Sequence, residues 1–444
     1  MTRRRIRPTR VMACALTVSA TMVGASLLGT GTAAASPCGN ASSGSSGSSG
    51  SLDLGSLGGL GSGSSSNPST GPQGALPIYA TNVSRTVAWV TGPRSPNLTF
   101  SRFTISGTDL GVSWDNGYGQ TLMAFGDTFG DCSVSGQQWR HNVLLRTDDK
   151  NLTDGITVPD ADPTSTTSGS VVTADRPTYA QQLISAVGFQ GVEVTTIPTA
   201  AISLPRPDGP GFRQYMNYMS VRSWGSAGNW VTNFSAIAYS DDNGQTWTTD
   251  TDTILINAPV DFELPEGWRP LDTNNGKFQQ NAYFRGHGAD SEWVYQLGTP
   301  NGRFGAAFLA RFHPDDILDL DKYQYWTGTG DVWVDTIREI PEGTSQIVPP
   351  PVTEVSVSWS PYLNKYIMLD GDNGIRIRTA DKPEGPWSSA FTLVEPGAVV
   401  LYGPMMLPQS PALKGTGKEL YFNASRWSDY NVMLVQSDLS KVPK

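Results

Sequence analysis

The sequence predicts an all-β fold, a five-bladed β-propeller formed by residues 75–444. Short β-type segments separated by turn residues recur five times in the same order, and four antiparallel strands in a row make one propeller blade. The fifth set is one strand short, whereas a strand-like segment at 86–90 precedes the first set and has no partner there. We expect this segment to pair with 432–435, because closing the ring in this way removes two open sheet edges.

The predicted strands follow runs of apolar, β-branched and aromatic residues. The first blade begins with a hairpin, 108–114 and 121–125, and continues at 140–147 and 155–158. Helical periodicity is scarce, and short helices are expected only at 179–187 and 314–320. The strands of the other blades are predicted at 191–197, 212–221, 235–240 and 246–249; 280–284, 293–297, 306–310 and 332–334; 354–359, 366–369, 375–378 and 391–394; and 402–407, 420–422 and 432–435.

One outer hairpin of the second blade has a recognisable turn sequence. The segment 240–247 reads Ser-Asp-Asp-Asn-Gly-Gln-Thr-Trp and matches the Asp-box hairpin. In that hairpin the aspartate binds the backbone of the turn, the glycine takes a positive φ, and the tryptophan packs between blades. We interpret this segment as structural.

The N-terminal residues predict export. Five arginines within the first ten residues precede an apolar run at 11–28 and an Ala-Ala-Ala site at 33–35, so residues 1–35 are expected to be a cleaved signal peptide. An uncleaved anchor is the alternative. Residues 36–74, rich in Gly and Ser, are expected to be a flexible linker. The expected product is secreted or associated with the cell wall, with no stable insertion in a membrane after cleavage.

Composition limits the partners and cofactors. A net charge of −9 argues against a nucleic-acid partner, because phosphate binding needs concentrated Lys and Arg. With only three histidines, a zinc or copper centre is not expected, and neither is any other metal or cofactor. The secreted form keeps Cys38 and Cys132, which form a disulfide or leave Cys38 free. We expect a monomer that acts on a polysaccharide.

Propeller geometry selects the candidate site residues. Each inner strand begins at the face where the second strand of its blade ends, so these positions converge on one central depression. In the first hairpin this places Asp109 beside Asp127. The candidate catalytic residues are Asp109, Asp127, Glu354 and Glu193, and the candidate substrate-binding residues are Arg222, Trp224, Asn281, Arg303, Tyr402, Arg426 and Trp427.

Clustered carboxylates with arginines and aromatic rings suit glycoside cleavage, in which one carboxylic acid protonates the leaving oxygen and a carboxylate activates water or attacks the sugar. Asp127, in a glycine-bounded turn expected to be open to water, is assigned as the acid, and Asp109 as the base or nucleophile. Carboxyl groups about 5–5.5 Å apart would give retention and about 6.5–9.5 Å inversion, which we favour. Alternatively, Glu193 and Glu354 pair with arginines as salt bridges between blades.

Several motifs carry a family resemblance. The segments 108–111, 125–129, 218–224, 298–303 and 430–432 together resemble the domain-of-unknown-function family 4185, which is placed in glycoside hydrolase family 183. The resemblance implies a five-bladed propeller that hydrolyses internal α-D-arabinofuranosidic linkages in the D-arabinan of arabinogalactan and lipoarabinomannan. It also places Asp109 and Asp127 in the family's most recognisable motifs. The alternatives are a non-catalytic carbohydrate-binding or envelope-scaffolding propeller and, less favoured, a sialidase.

Overall fold

The computed structural model describes Cys38 and residues 69–71, 73–186, 192–260, 263–341 and 343–443. The predicted signal peptide, 1–35, lies outside the described residues. So does the predicted linker, 36–74, apart from Cys38, 69–71, Gln73 and Gly74. No helix in these described ranges has the length and apolar character needed to cross a membrane.

The described strands form five sheets arranged as a five-bladed β-propeller, which confirms the predicted fold. Each blade runs from an inner strand at the axis to an outer strand at the periphery. The strands are β1 (Ser84–Trp89); β2 (Leu110–Asp115), β3 (Thr121–Phe125) and β4 (Val143–Thr147) in blade 1; β5 (Thr195–Pro205), β6 (Phe212–Trp224), β7 (Trp230–Ser240) and β8 (Thr248–Ile256) in blade 2; β9 (Gln280–Arg285), β10 (Val294–Thr299), β11 (Gly305–Phe312), β12 (Gln324–Trp326), β13 (Trp333–Val334) and β14 (Val348–Val352) in blade 3; β15 (Ser356–Ser360), β16 (Lys365–Asp370), β17 (Ile375–Ala380) and β18 (Phe391–Val394) in blade 4; and β19 (Leu401–Met406), β20 (Glu419–Arg426) and β21 (Asn431–Asp438) in blade 5.

Among the described residues, helical structure is limited to short segments. They include two single-turn α-helices, α1 (Thr99–Phe103) and α2 (Pro411–Lys414). The 3₁₀ segments are Ser135–Gln138, Thr273–Phe278, Gly288–Asp290, Pro314–Asp316, Leu320–Lys322, Ile337–Glu339 and Leu439–Lys441.

The ring closes through the N-terminal strand, as the sequence predicts. Strand β1 pairs antiparallel with β21, with Thr86 opposite Val435 and Trp89 opposite Met433, and completes the sheet β1-β21-β20-β19. The Val90 amide continues this ladder by donating to the carbonyl of Val432 at 2.8 Å. The first and last strands therefore share one blade.

Two local predictions are wrong because the backbone bonds elsewhere. The segment 155–158 is not a strand: the Asn97 side chain donates to the Ile156 carbonyl and accepts from the Val158 amide, at 2.8 and 2.9 Å. The outer edge of β4 is covered instead by 168–170, with a bridge between Leu145 and Ser170. In the described part of 179–187 there is no helix, since the Ala180 amide donates to Phe103. In place of a helix at 314–320, the 3₁₀ segment Pro314–Asp316 forms, and a second one, Leu320–Lys322, begins at the end of this range.

The Asp-box hairpin has its predicted structural role. The Asp242 carboxylate accepts from the amides of Gln245 and Thr246 at 3.0 and 2.9 Å, and Gly244 has φ +80°. The ring of Trp247 then meets that of Trp114 in blade 1 edge-on, with centroids 6.5 Å apart. The turn thus fixes the packing of two neighbouring blades.

The structure contains a disulfide between Cys38 and Cys132, with the Cα atoms 5.2 Å apart. The Cys132 amide also donates to the carbonyl of Ser69 at 2.9 Å. Further along, the Gln73 side chain bonds the backbone of Thr91 and Arg94 at 2.9 and 2.8 Å. These bonds hold the described end of the predicted linker against the propeller.

The closing blade gives a direct test of the fold. Leu434 is fully buried in β21, between β1 and β20. We expect Leu434→Ala to lower the free energy of unfolding by about 2–5 kcal/mol, because it removes buried methyl groups and leaves a cavity. Urea denaturation followed by fluorescence measures the change. The matched control is Ile78→Ala at a 98% exposed side chain, which should change stability by less than about 0.5 kcal/mol. Equal effects of the two substitutions would contradict the closure.

Candidate active site

A cavity of about 330 Å³ lies at the end of the axis where the inner strands begin. Its volume falls within the range of small-molecule sites. Blades 1, 2, 3 and 5 and the segment leading into blade 4 contribute to its wall. The predicted site residues that line it are Asp109, Asp127, Glu354, Trp224, Asn281, Arg303, Tyr402 and Trp427.

Backbone irregularity at the start of β2 positions Asp109. Leu110 and Gly111 both have positive φ, +66° and +79°, and the register with β3 shifts at this point. The Leu110 amide is satisfied by Ser425 Oγ of blade 5 at 2.7 Å. On the facing strand, a Cβ at Gly126 would lie 2.5 Å from Asp109 Oδ1. A glycine is therefore required at position 126 for the Asp109 carboxyl group to occupy its place.

Asp127 lies across the same ladder. Beyond β2 and β3 the pairing continues, with Gly107 bridged to Phe129 and the hydroxyls of Thr108 and Thr128 2.7 Å apart. The next step of this register brings Asp109 opposite Asp127, and both line the cavity. The hairpin therefore forms the carboxylate pair that its sequence predicts.

Burial dominates the electrostatics of Asp109. It raises the pKa of this carboxyl group to about 7, against a smaller opposing effect of the Tyr402 hydroxyl, which donates to Oδ2 at 3.0 Å. The negative charge of Glu354 raises the pKa of Asp109 further, and the positive charge of Arg303 lowers it. Oδ1 is buried and has no hydrogen-bond partner in the described chain. This oxygen is the available position for a proton or a substrate group.

The pKa of Asp127 is also raised. Burial raises its pKa to about 8, the Thr195 hydroxyl opposes this, and the charge of Asp109 adds to it. Thr195 donates to Oδ1 at 2.6 Å, and His141 Nδ1 lies 3.1 Å from the same hydroxyl. Asp127 is half-buried at the cavity wall rather than in an open turn, and the surrounding protein removes water from its carboxyl group. Enclosure favours the protonated form and so suits an acid.

Glu354 is bound by an arginine. Arg303 Nε is 3.0 Å from each carboxylate oxygen of Glu354, and Nη2 is 2.5 Å from Oε1. Both side chains are almost fully buried, with exposures of 6% and 10%. The guanidinium also lies over the rings of Trp427, Tyr402 and Trp230, at 4.7, 4.8 and 5.5 Å. Glu354 thus takes the salt-bridge alternative and neutralises Arg303 beside Asp109.

Three predicted residues do not line the cavity. Glu193 accepts from the Ser220 hydroxyl, Arg222 bonds Asn233 at 2.7 Å and the Pro259 carbonyl, and Arg426 bonds Asp429. Strand β5 begins only at Thr195 and faces the cavity with Ile197 and Pro198, so Glu193 lies before the strand. The β6 ladder is irregular around Val221, which breaks the alternation that would have aimed Arg222 inward.

The remaining predicted residues form the wall. Asn281 is buried and its amide is used within the protein, donating to Asn217 at 2.9 Å and accepting from Gln296 at 2.6 Å. Trp427 packs on Tyr402, with ring centroids 4.3 Å apart, and Trp224 meets Trp230 edge-on at 5.7 Å. Asn281 therefore stabilises the cavity wall through hydrogen bonds, whereas the aromatic rings form part of the surface of the wall.

Sequence reasoning missed several residues of the site. Tyr430 and Phe129 lie in recognised motifs, and Thr195 lies in a predicted strand, so only their orientation was unknown. Trp139 lies within hydrogen-bonding reach of Asp127 but comes from an irregular loop that no periodicity marks. His141 packs against Trp139 with centroids 4.5 Å apart. Across the described ranges, no group of three or more His, Cys, Asp or Glu side chains is arranged to hold a metal ion.

One known protein family matches most of this chain. The family model described as "Domain of unknown function (DUF4185)" matches residues 94–436. The chain belongs to this family. The match runs from the loop before blade 1 to the last strand of blade 5, so this DUF4185 domain is the propeller itself.

The DUF4185 protein is also similar to individual proteins. Notoamide biosynthesis cluster protein J of Aspergillus sp. (strain MF297-2) is 26% identical over 74% of this chain and 81% of its own length. A solved structure of a Bacteroides ovatus protein aligns with a TM-score of 0.47 and 14% identity, covering 77% of this chain and 88% of that one. For the arabinanase Arb43A of Bacillus subtilis the TM-score is 0.38 and the identity 10%, with coverages of 74% and 96%.

The effect of the Thr195 hydroxyl on the pKa of Asp127 can be tested by substitution. Its hydrogen bond lowers the pKa of the carboxyl group, so Thr195→Val should raise that pKa further while keeping the shape of the side chain. Carbon-13 NMR of labelled aspartate, assigned with Asp127→Asn, measures the shift. The control is Thr249→Val, whose hydroxyl contacts Tyr218 instead, 2.9 Å away. A pKa that stays constant or falls in Thr195→Val would show that the hydroxyl does not act on Asp127.

Proposed function

We propose that this DUF4185 protein is a glycoside hydrolase that cleaves internal α-D-arabinofuranosidic linkages in the D-arabinan of arabinogalactan and lipoarabinomannan. The observation that carries the proposal is the pair Asp109 and Asp127, opposite each other in one cavity and both with raised pKa values. Glycoside hydrolysis uses such a pair, one group protonated and the other ionised.

We propose a role for each of the two carboxyl groups. Asp127, whose pKa is raised by burial and by the charge of Asp109, acts as the acid and gives its proton to the glycosidic oxygen as the bond from that oxygen to the anomeric carbon breaks. Asp109, which ionises first, takes a proton from water as the water oxygen attacks the anomeric carbon. The pair then exchanges protons with solvent and is reset. This route inverts the anomeric configuration.

Glu354 contributes to the same site without transferring a proton. Its charge is compensated by Arg303, so the pair adds no net charge to the cavity while Glu354 still raises the pKa of Asp109. The Tyr402 hydroxyl, hydrogen-bonded to Asp109, orients the carboxylate. We propose that Arg303 and Tyr402 act through Asp109 and by contact with the sugar.

The wall of the cavity supports a neutral sugar as substrate. Trp139, Trp224, Trp230, Tyr402, Trp427 and Tyr430 all line it. Aromatic faces bury the apolar side of a sugar ring, and polar groups such as Asp109, Asp127 and Arg303 line the same space. The choice of D-arabinan rests on the family resemblance, since aromatic walls suit many sugars.

We also propose that the protein works outside the cytoplasm, secreted or at the cell wall, as a monomer. The arginine-rich start, the apolar run and the Ala-Ala-Ala site support export. The disulfide between Cys38 and Cys132 supports an oxidising compartment.

Hydrolysis of arabinogalactan by purified protein tests the proposal. We expect short arabino-oligosaccharides, with NMR of the fresh products showing inverted anomers. Asp109→Asn and Asp127→Asn should each lower kcat at least about a hundredfold, because each removes a proton transfer. The control is Asp381→Asn, an exposed carboxylate paired with Lys365. Binding without any product would favour the non-catalytic carbohydrate-binding propeller, and near-normal rates in both variants would refute the assigned roles.

The pH dependence follows from the same pair. The rate should fall as pH drops through about 7, where Asp109 gains a proton, and again as pH rises through about 8, where Asp127 loses its own. The two limbs belong to the coupled pair rather than to either residue. Initial rates between pH 4 and pH 10 measure the profile. Maximal activity near pH 4 would mean that burial does not raise these pKa values.

A further inference from the structure

A second cavity, of about 360 Å³, opens on the same face of the propeller beside the first. It extends from the turn between β10 and β11 across blade 4 toward the outer strand β18. We call it the outer groove and define it by Arg303, Phe304, Asp372, Arg376 and Thr392. We propose that the outer groove is a further sugar subsite, which binds the substrate chain where it leaves the catalytic cavity. This inference rests on the proposed function.

The outer groove adjoins the catalytic cavity. Arg303 lines both, so the two spaces meet at this residue. The backbone of Asp372 forms a β-bridge with Tyr402, whose hydroxyl donates to Asp109. A sugar chain with one unit over the Asp pair therefore meets the outer groove directly past Arg303.

Phe304 supplies an apolar face at the boundary. Its side chain is 58% exposed, which is uncommon for a large apolar residue. On one side it packs closely on the backbone of Gly228, where a Cβ would lie 3.2 Å from Phe304 Cζ. Gly228 in turn lines the catalytic cavity. The ring is thus fixed at the rim, with its remaining surface available for stacking on a sugar.

Two charged groups in the outer groove have unused hydrogen-bonding capacity. The exposed carboxylate of Asp372 interacts electrostatically with Arg303 but accepts no side-chain hydrogen bond within the described residues. Arg376 uses Nε and Nη2 to bind Asp370 and the Pro351 carbonyl, at 2.7 to 2.8 Å, and its Nη1 has no partner in the same part of the chain. One group accepts and the other donates, which matches the hydroxyls of a neutral sugar.

The charge balance favours a neutral polymer over a charged ligand. Asp372 and the Arg303–Glu354 pair, together with the Asp370–Arg376 pair, place both signs around the outer groove without an excess of cations. A phosphate or an acidic chain would need such an excess. A subsite outside the catalytic cavity also explains how an enzyme holds a chain on one side of an internal linkage.

The test compares a long and a short substrate. In Phe304→Ala, the KM for arabinogalactan should rise about fivefold relative to the KM for the shortest arabino-oligosaccharide that the protein cleaves, because only the polymer reaches the ring. Phe304→Trp should restore the ratio of the two KM values, and Asp372→Asn should raise it. The matched control is Tyr362→Ala, an aromatic residue that is 40% exposed in the turn between β15 and β16 at the opposite end of blade 4.

The outcomes separate the two proposals. A raised ratio in Phe304→Ala, with the Tyr362→Ala ratio unchanged, supports the subsite. An unchanged ratio in Phe304→Ala, while the unaltered protein cleaves both substrates, overturns the subsite and leaves the proposed function standing. If the unaltered protein cleaves neither substrate, the proposed function fails and this inference fails with it.

Discussion

Closure of the ring is the constraint on which the candidate site depends. The ladder between β1 and β21 joins the start of the propeller to its end and sets blade 5 against blade 1. Across that contact the Thr108 amide donates to the Tyr430 carbonyl at 2.8 Å, and the Asn423 side chain donates to the carbonyl of Gly111 at 3.0 Å. These bonds hold the distorted start of β2, from which Asp109 projects.

The same closure of the ring contributes to the raised pKa of Asp109. Blade 5 covers Asp109 with Tyr402 and Tyr430, so a carboxyl group that ordinarily ionises near pH 4 is placed where its charge is poorly solvated. Hydrogen bonds from Tyr402 and Tyr430 lower the pKa of Asp109, and those from Thr195 and Trp139 lower the pKa of Asp127, but burial outweighs them. A proton can therefore reside on the pair at neutral pH. By contrast, Glu354 is paired with a counterion, the guanidinium of Arg303, through several hydrogen bonds.

Local pattern was sufficient for elements whose bonding partners are close in sequence. The β2–β3 hairpin, the Asp-box turn and the placement of Asp109 beside Asp127 each depend on a turn and two short strands. Propeller geometry, applied to the predicted strand ends, placed Arg303, Tyr402 and Trp224 at the cavity wall. The errors lie where partners are distant: Asn97 takes the backbone bonds of 155–158, and Asn233 with Pro259 takes the guanidinium of Arg222. No periodicity in the sequence reports such pairings.

The sequence by itself determined the all-β class, the five repeats, the missing strand and the carboxylate pair, because these follow from strand periodicity, turn chemistry and strand count. Only the tertiary structure decided which ionisable groups lose water and which find a counterion. It showed that Asp127 is half-buried at a cavity wall, that Glu354 is bound by Arg303, and that Cys38 reaches Cys132. Desolvation and ion pairing depend on distances between residues tens or hundreds of positions apart, and a linear pattern does not contain those distances.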